Sequence, residues 1–280
     1  MTDRSPRRVD PANAIIDIDT TVPNAARVYD YLLGGTNNFA VDREAAERNN
    51  AVLPGGIDAA RAEVRANRAF LARAVRYLAG EAGIRQFLDI GTGIPDENNV
   101  HAVAQQASPD ARIVCVDYDP VVLAHAHVLL RSTAEGAAAY VHGDLRDPET
   151  ILSRAADTLD FGQPVALVLA GILYLIPDDD DPYGIVRRLL EPLAPGSYLA
   201  ISHMTGDFNP EMVELVERLN ESMAEPFTLR THDEVARFLD GLELVDPGLV
   251  QVNQWRVDAT EPAPPGGELV AYYVGVGRKP

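Results

Sequence analysis

A single cysteine, Cys115, stands among 280 residues, so no disulfide can form within the chain. Cations are also scarce. Against 42 Asp and Glu there are only 24 Lys and Arg, a net charge of −18, and a surface that tracks nucleic-acid phosphates or anionic lipid needs a cationic footprint. Long apolar runs are missing too. The longest, residues 165–176, is bracketed by Pro164 and Pro177, well short of the roughly 20 apolar residues that cross a bilayer. The opening MTDRSPRRVD has arginines with no apolar stretch behind them, so it does not read as a secretory signal. The expectation is a soluble, cytoplasmic protein. What is present is 46% hydrophobic, enough for the core of one large α/β domain or two small ones and too much for global disorder.

Charge and pattern divide the chain near residue 88. Residues 1–88 carry 12 basic and 11 acidic side chains, whereas 89–280 carry 12 and 31. The first part reads as helices only. One is expected over residues 25–33, stopped by Gly34-Gly35, and a second over 42–50. In a third, Ile57, Ala60, Val64, Leu71, Val75 and Leu78 recur at helical spacing, ending near Gly80 or Gly83. Asn67 falls on that apolar stripe. If buried it must find a partner, either as a structural amide or against a ligand.

From residue 86 strands and helices alternate. Strands are expected at 86–90, 112–117, 139–142, 165–170 and 196–204. Helices are expected over 96–106, from Pro120, after Asp147-Pro148, from Pro182 to 193, after Asn209-Pro210, and from a Thr231–Glu234 capping box to 239. The first four strands are apolar on both faces, as in a parallel sheet covered by helices. Two more, at 249–256 and 268–276, are joined by a loop alone and should form an antiparallel hairpin.

The most informative stretch ends the first strand: Asp89-Ile90-Gly91-Thr92-Gly93-Ile94-Pro95. A strand running into G-x-G before a helix brings backbone close to a ligand at the carboxyl edge of a sheet. Here the third glycine of a dinucleotide fingerprint is replaced by Ile94-Pro95-Asp96. The turn is acidic, with Asp89 before it and Asp96-Glu97 where a diphosphate would meet helix N–H groups. Carboxylates repel a diphosphate and suit a ligand carrying an ammonium and a sulfonium. Two further acids end strands, Asp117 after the second and Asp144 after the third. Singly, each also serves as a turn or helix-cap residue; the coincidence at three strand ends favours an adenosine joined to an amino-acid cation over NAD.

These residues resemble the class I S-adenosylmethionine-dependent methyltransferases, from about residue 67 to the C-terminus. More narrowly, Pro23-Asn24-Ala25-Ala26-Arg27-Val28-Tyr29-Asp30-Tyr31-Leu32-Leu33-Gly34-Gly35, Asn38-Phe39, Gly91–Pro95 and Asn99-Val100-His101 resemble an actinobacterial S-adenosyl methyltransferase family first catalogued as a domain of unknown function. The likeness covers nearly the whole chain. It implies a Rossmann-like α/β fold: a seven-stranded, mostly parallel sheet with an antiparallel last strand and helices on both faces. It also implies that the domain of residues 67–280 binds S-adenosylmethionine; the N-terminal helical segment, residues 1–66, whose aromatic and polar Tyr29–Phe39 stretch holds Gly34-Gly35-Thr36-Asn37-Asn38, reads either as a hinged lid or as an ordinary amphipathic helix and turn packed on that body. Asp89 would hold the methionine ammonium, and Gly91, Thr92 and Gly93 would form the backbone cradle. Asp117 would take the ribose, with Tyr118, Asp144 and Leu145 around the adenine and Ala170-Gly171 beneath the sulfonium. Pro95 departs from the class pattern.

Methyl transfer from a sulfonium needs mainly approach and orientation, so the lack of a catalytic triad carries no weight. The acceptor, a small molecule on this reading, is expected over the fourth and fifth strands. Tyr174 and His203 are candidate catalytic groups, and Tyr29, Tyr31, Asn37, Asn38 and Phe39 candidates in the lid. His125-x-His127 lies on a helix, where i,i+2 side chains diverge, so no metal is expected there. The run Asp178–Asp181 reads as a solvated loop before Pro182, and Cys115 as buried and inert. A sensor that binds S-adenosylmethionine without turnover, and a nucleotide-dependent oxidoreductase, remain as rival readings.

Overall fold

The computed structural model describes residues 19–52, 54–95, 98–129, 132–221, 226–257 and 270–280. Three helices come first: α1 (Ala25–Leu33), α2 (Ala40–Asn50) and α3 (Gly56–Arg76), the last running into a π-type turn at Tyr77–Glu81. Asn24 caps α1 by accepting the Ala26 and Arg27 N–H groups. Helix α3 is unbroken across residues 66 and 67, so the helical segment and the body share it. Strands β1 (Gln86–Ile90), β2 (Arg112–Asp117), β3 (Ala137–His142), β4 (Ala166–Ala170) and β5 (Tyr198–Met204) follow, linked by α4 (Val100–Ala107), α5 (Pro120–Leu129), α6 (Pro148–Ala155) and α7 (Pro182–Leu190). After them come α8 (Pro210–Asn220), α9 (His232–Ala236), β6 (Glu243–Leu244), β7 (Val250–Gln251) and β8 (Tyr272–Arg278).

The sheet runs β3-β2-β1-β4-β5-β8-β6. The first five strands are parallel and β8 is antiparallel to β5, the expected seven-position arrangement. Its last position is split, because two-residue β6 and β7 both pair with β8. Strand alternation divides the core into two layers. Phe87, Ile113, Cys115, Ala166 and Val168 pack beneath α3 and α4. Leu88, Val114, Leu167, Leu199 and Ile201 face α6, α7 and α9. Cys115 is buried, and burial raises its thiol pKa.

Most expected elements stand close to where the pattern put them, several with shifted ends, and β6 falls where no strand was expected. The strand expected over 249–256 is reduced to β7. The chain turns so that Trp255 packs edge-on against Phe70 and Tyr77 (centroids 5.4 and 6.1 Å), while Arg73 takes the Val252 and Trp255 carbonyls at 2.9 Å. Helix α4 begins at Val100 rather than 96. Asn99 before it is extended (φ −71°, ψ 159°), and its side chain meets Arg68 and the Thr92 carbonyl. Strand β3 starts two residues early. Asp96-Glu97 and the Pro/Gly-rich loop before β8 lie outside the described residues. Among those described, no helix is long and apolar enough to cross a membrane.

Candidate functional site

Because Phe87 and Asp89 alternate with Leu88 and Ile90, Asp89 points to the α3 side of the sheet; Asp117 follows Ile113 and Cys115 to the same side. Both acids therefore reach one rim, at the carboxyl ends of β1 and β2. A cavity of about 480 Å³ opens there, floored by Asp89, Gly91, Gly93, Asp117 and Ala170-Gly171. Its wall is Asn67, Arg68 and Leu71 of α3, and its roof is α1 with the Gly34–Asn37 turn.

Close approach shapes the floor. Gly91 has φ +76°, and a Cβ there would stand 2.9 Å from Ile172. Gly171 has φ +74°, and a Cβ there would stand 3.0 Å from Asn67 Nδ2. Any side chain at either position would be strained and would fill the cradle.

The acids are deeply placed and short of cations. Asp89 is 4% exposed and its Oδ2 accepts the Thr92 hydroxyl at 2.6 Å. Burial pushes its pKa up to about 6, with the Thr92 bond and Arg68 opposing the rise and Asp117 adding to it. Asp117 accepts the Gly93 N–H at 2.9 Å and the Asp119 N–H at 3.0 Å. Burial takes it to about 6 as well, against those hydrogen bonds. Arg68 bonds Asn99 at 3.2 Å and lies over the Tyr29 ring at 5.4 Å. Of the described lining residues it is the one cation, set against Asp30, Asp89, Asp117 and Asp119.

Of the cradle and ribose candidates, Asp89, Gly91, Thr92, Gly93, Asp117, Tyr118, Ala170 and Gly171 all line this cavity. Asp144 and Leu145 line a smaller recess that shares Gly91, Asp117 and Tyr118 with it. There Asp144 accepts the Arg146 N–H at 2.9 Å, and the Tyr118 carbonyl is held by His142 Nε2 at 2.9 Å.

Tyr29, Asn37 and Tyr174 also line the main cavity. Burial, and after it Tyr29 and Glu63, raise the Tyr174 pKa against a hydrogen bond with Tyr272, leaving it a neutral hydroxyl. Tyr31, Asn38 and Phe39 do not line it. Tyr31 donates to Glu47 at 2.8 Å, Asn38 Nδ2 to Asp30 at 2.8 Å, and Phe39 lies under the Arg27 guanidinium at 5.2 Å. β5 contributes nothing to the lining either, so the cavity sits over β1, β2 and β4 rather than over β4 and β5. His203 points to the other face of the sheet, stacked with Phe238. It is fully buried, with Nδ1 donating to the Met204 carbonyl (2.7 Å) and Nε2 accepting from Arg230 (2.8 Å). Burial lowers its pKa to about 3, and Arg230 adds to the effect. It is a neutral structural imidazole with no nitrogen free to act as base.

Arg230 also binds the Leu173 and Ile176 carbonyls and Asp178, so the acidic run acts partly as a staple for the turn that carries Tyr174. Asp181 caps α7. Among the described residues, no cluster of His, Cys, Asp or Glu is arranged to hold a metal.

Sequence reasoning missed Arg68, Asp30, Asp119 and Asn98 in the lining. A signal for Asp30 was present. Ala25, Ala26, Tyr29, Asp30 and Leu33 form one face of a 3.6-residue helix, and that face is the roof.

Comparison with known proteins agrees with this geometry. The model of the S-adenosyl methyltransferase family matches residues 11–280. A DUF574-family protein from Streptomyces avermitilis is 48% identical, the match covering 94% of this chain and 100% of that one, with a TM-score of 0.89. A protein from Thermobifida fusca, provisionally assigned as a methyltransferase, is 40% identical over 93% of this chain and 96% of its own, with a TM-score of 0.81. No curated protein gives a match. The glycine cradle, the cation-deficient acids at adjacent strand ends and a family match over nearly the whole length agree, and the chain belongs to the S-adenosyl methyltransferase family, as a Rossmann-like class I methyltransferase that uses S-adenosylmethionine.

Proposed function

We propose that the protein methylates a small-molecule acceptor inside the cavity under α1, in a cytoplasmic setting. The observation that carries the site assignment is the pair Asp89 and Asp117. Both are buried, both lie on one rim, and burial raises the ordinary carboxylate pKa in each. S-adenosylmethionine, once bound, supplies a methyl group on a sulfonium whose thioether leaves without further activation. The protein's part is to bind, orient and exclude water.

On this reading Asp117 accepts the ribose hydroxyls through its remaining lone pairs. Tyr118, Asp144 and Leu145 bound the adenine. Asp89, held by Thr92, offers negative charge to the methionine ammonium, and Arg68 pairs with the carboxylate of that amino-acid end. Gly91, Thr92, Gly93 and Ala170-Gly171 let backbone approach closely. Tyr29, Asn37 and Tyr174 border the acceptor's side, and α1 with α2 acts as the lid. The acidic lining and the net charge of −18 weigh against a nucleic-acid acceptor.

The test is calorimetric titration with S-adenosylmethionine, S-adenosylhomocysteine and NAD. Binding of both adenosyl compounds with no NAD heat is the expected result. NAD binding without either of them would overturn the site assignment. Product analysis with amine, alcohol, phosphorylated and oligonucleotide acceptors then tests the small-molecule part.

A further inference from the structure

The Asn99-Val100-His101 stretch has no task in that assignment, yet Asn99 breaks a local rule. It stands immediately before α4 in the extended conformation of an N-cap. Asparagine is among the best residues for that position, because its side chain can accept the first free helix N–H groups. Here the side chain makes no cap hydrogen bond. It turns away from its own helix instead: Oδ1 accepts an N–H of Arg68 Nη1 at 3.2 Å, and Nδ2 donates to the Thr92 carbonyl at 3.4 Å. Asn99 is 1% exposed, so both contacts lie in the interior. A side chain that forgoes the cap of its own helix to hold another residue marks a site rather than a requirement of the fold.

Those contacts fix where Arg68 points. Its Nη1 is tied to Asn99, its Nη2 lies 3.8 Å from where a Cβ on Gly93 would stand, and its guanidinium carbon is 5.4 Å from the centre of the Tyr29 ring. The guanidinium is therefore held between the glycine turn and the lid helix α1, and it is the one cation among the described lining residues. An arginine side chain has many rotamers, and ordering it at the moment of binding costs affinity. Anchoring it beforehand removes that cost.

We propose that Asn99 is a positioning residue for the amino-acid end of the methyl donor: it holds the Arg68 guanidinium against the glycine turn, so that the site selects ligands with a free α-carboxylate. The proposal rests on the cofactor reading above, with Arg68 as the partner of that carboxylate. Asn99 does not itself line the cavity and acts through Arg68. The ammonium is left to Asp89, so the two charges of the amino-acid end are read by groups on different elements, α3 and β1.

The probes are S-adenosylhomocysteine and its decarboxylated analogue, S-adenosyl-3-thiopropylamine, which keeps the amine and lacks only the carboxylate. Calorimetry gives the ratio of the two affinities for each protein. The wild type should prefer S-adenosylhomocysteine about tenfold or more, the preference expected of a charge-assisted pair. Asn99→Ala should cut that ratio several-fold while affinity for the decarboxylated ligand holds within about threefold. Asn99→Ser guards against a folding defect. Its hydroxyl can cap α4 but is one bond too short to hold Arg68, so thermal stability should stay level or rise while the ratio falls. Arg68→Ala should abolish the preference, and adding Asn99→Ala to it should change the ratio no further. A further drop in that double variant would mean that Asn99 acts independently of Arg68, and the proposal fails. A ratio unchanged in both Asn99 variants but lost in Arg68→Ala overturns the proposal and leaves the cofactor site standing. A ratio that Arg68→Ala leaves intact overturns the carboxylate assignment along with it. Failure of both ligands to bind the wild type overturns the cofactor reading itself.

Discussion

Asp42 and Asp117 are both aspartates sunk below the surface, 0% and 6% exposed, yet the structure treats them in opposite ways. Asp42, on α2, is saturated. Both of its oxygens lie 3.0–3.1 Å from Arg27 Nε, and it accepts the Asn24 and Phe39 N–H groups. Arg27 is spent as well, on the Asp19 and Val22 carbonyls. Asp117 has backbone donors only, and its neighbours Asp89 and Asp119 are acids. In the lid, Asp42 and Arg27 close their charges on one another; the sheet rim leaves its charges open toward a cavity. A buried acid that is fully paired holds a fold together, whereas one lacking a cation marks where a positive ligand is expected.

Breaking the lid pair should give the largest effect. Arg27→Ala strands Asp42 in the interior, and losing one partner of a buried pair costs about 3–5 kcal/mol. Chemical denaturation should report that loss as a lower midpoint. A change below 1 kcal/mol would mean that the Asn24 and Phe39 amides alone suffice for Asp42, and the contrast with Asp117 would fail.

Asp117→Ala should do the reverse. At pH 8 it gives up its backbone partners but also removes a disfavoured charge, so stability should move by about 1 kcal/mol or less. S-adenosylmethionine affinity should drop by about a hundredfold, the loss expected when charge-assisted ribose contacts disappear. Large destabilisation with unchanged affinity would place Asp117 in the same class as Asp42.

The rim should also respond to pH in a way its chemistry dictates. Asp89 and Asp117 have pKa values raised from 3.8 to about 6, so the folded state holds protons that the unfolded state releases. Their contribution favours the fold below about pH 4 and is lost as pH rises through 6, at most about 3 kcal/mol each. A cation bound at the rim prefers the ionised acids. Cofactor affinity should therefore climb between pH 5 and 7.5, while the free protein loses part of its stability. Titrations near pH 6 in buffers of different ionisation enthalpy should register roughly one proton released per cofactor bound. No release, with affinity flat across that range, would show that these acids do not meet the cation.

How far this was legible depends on the kind of information each residue carries. Asp89 and Asp117 could be read because strand ends, glycines and charge are local and sit in consecutive positions. Arg68 could not. Its place in the cavity depends on where α3 crosses the sheet, and its partner Asn99 is 31 residues away. His203 was read to the correct strand end but not to a face. It shares the parity of Leu199 and Ile201, which pack under α7 and α9, opposite the side where Asp89 points. Helix 25–33 was found, yet its aromatics were grouped by proximity in sequence rather than by angle around the axis. Trp255 ended a strand early because a hydrophobic socket against Phe70 and Tyr77 outweighed β-propensity.

That angular error supplies the finest probe of the lid. Tyr29 and Tyr31 are two residues apart on α1, some 200° around its axis, and so belong to different regions. Tyr29 lines the cavity and supplies the acceptor for Asn67; Tyr31 meets Glu47 at the exposed α1–α2 surface. Tyr29→Phe should leave the Asn67 amide N–H unpaired and cost about 1–2 kcal/mol of stability, with a several-fold weaker hold on S-adenosylhomocysteine as the wall loosens. Tyr31→Phe removes one exposed hydrogen bond and should change stability by no more than about 0.5 kcal/mol and affinity not at all. The two variants differ by the same single oxygen, so thermal unfolding and calorimetry on the pair compare positions rather than chemistry. Equal effects from both would mean that α1 is rotated from the orientation described, and the roof of the cavity would have to be reassigned to its other face.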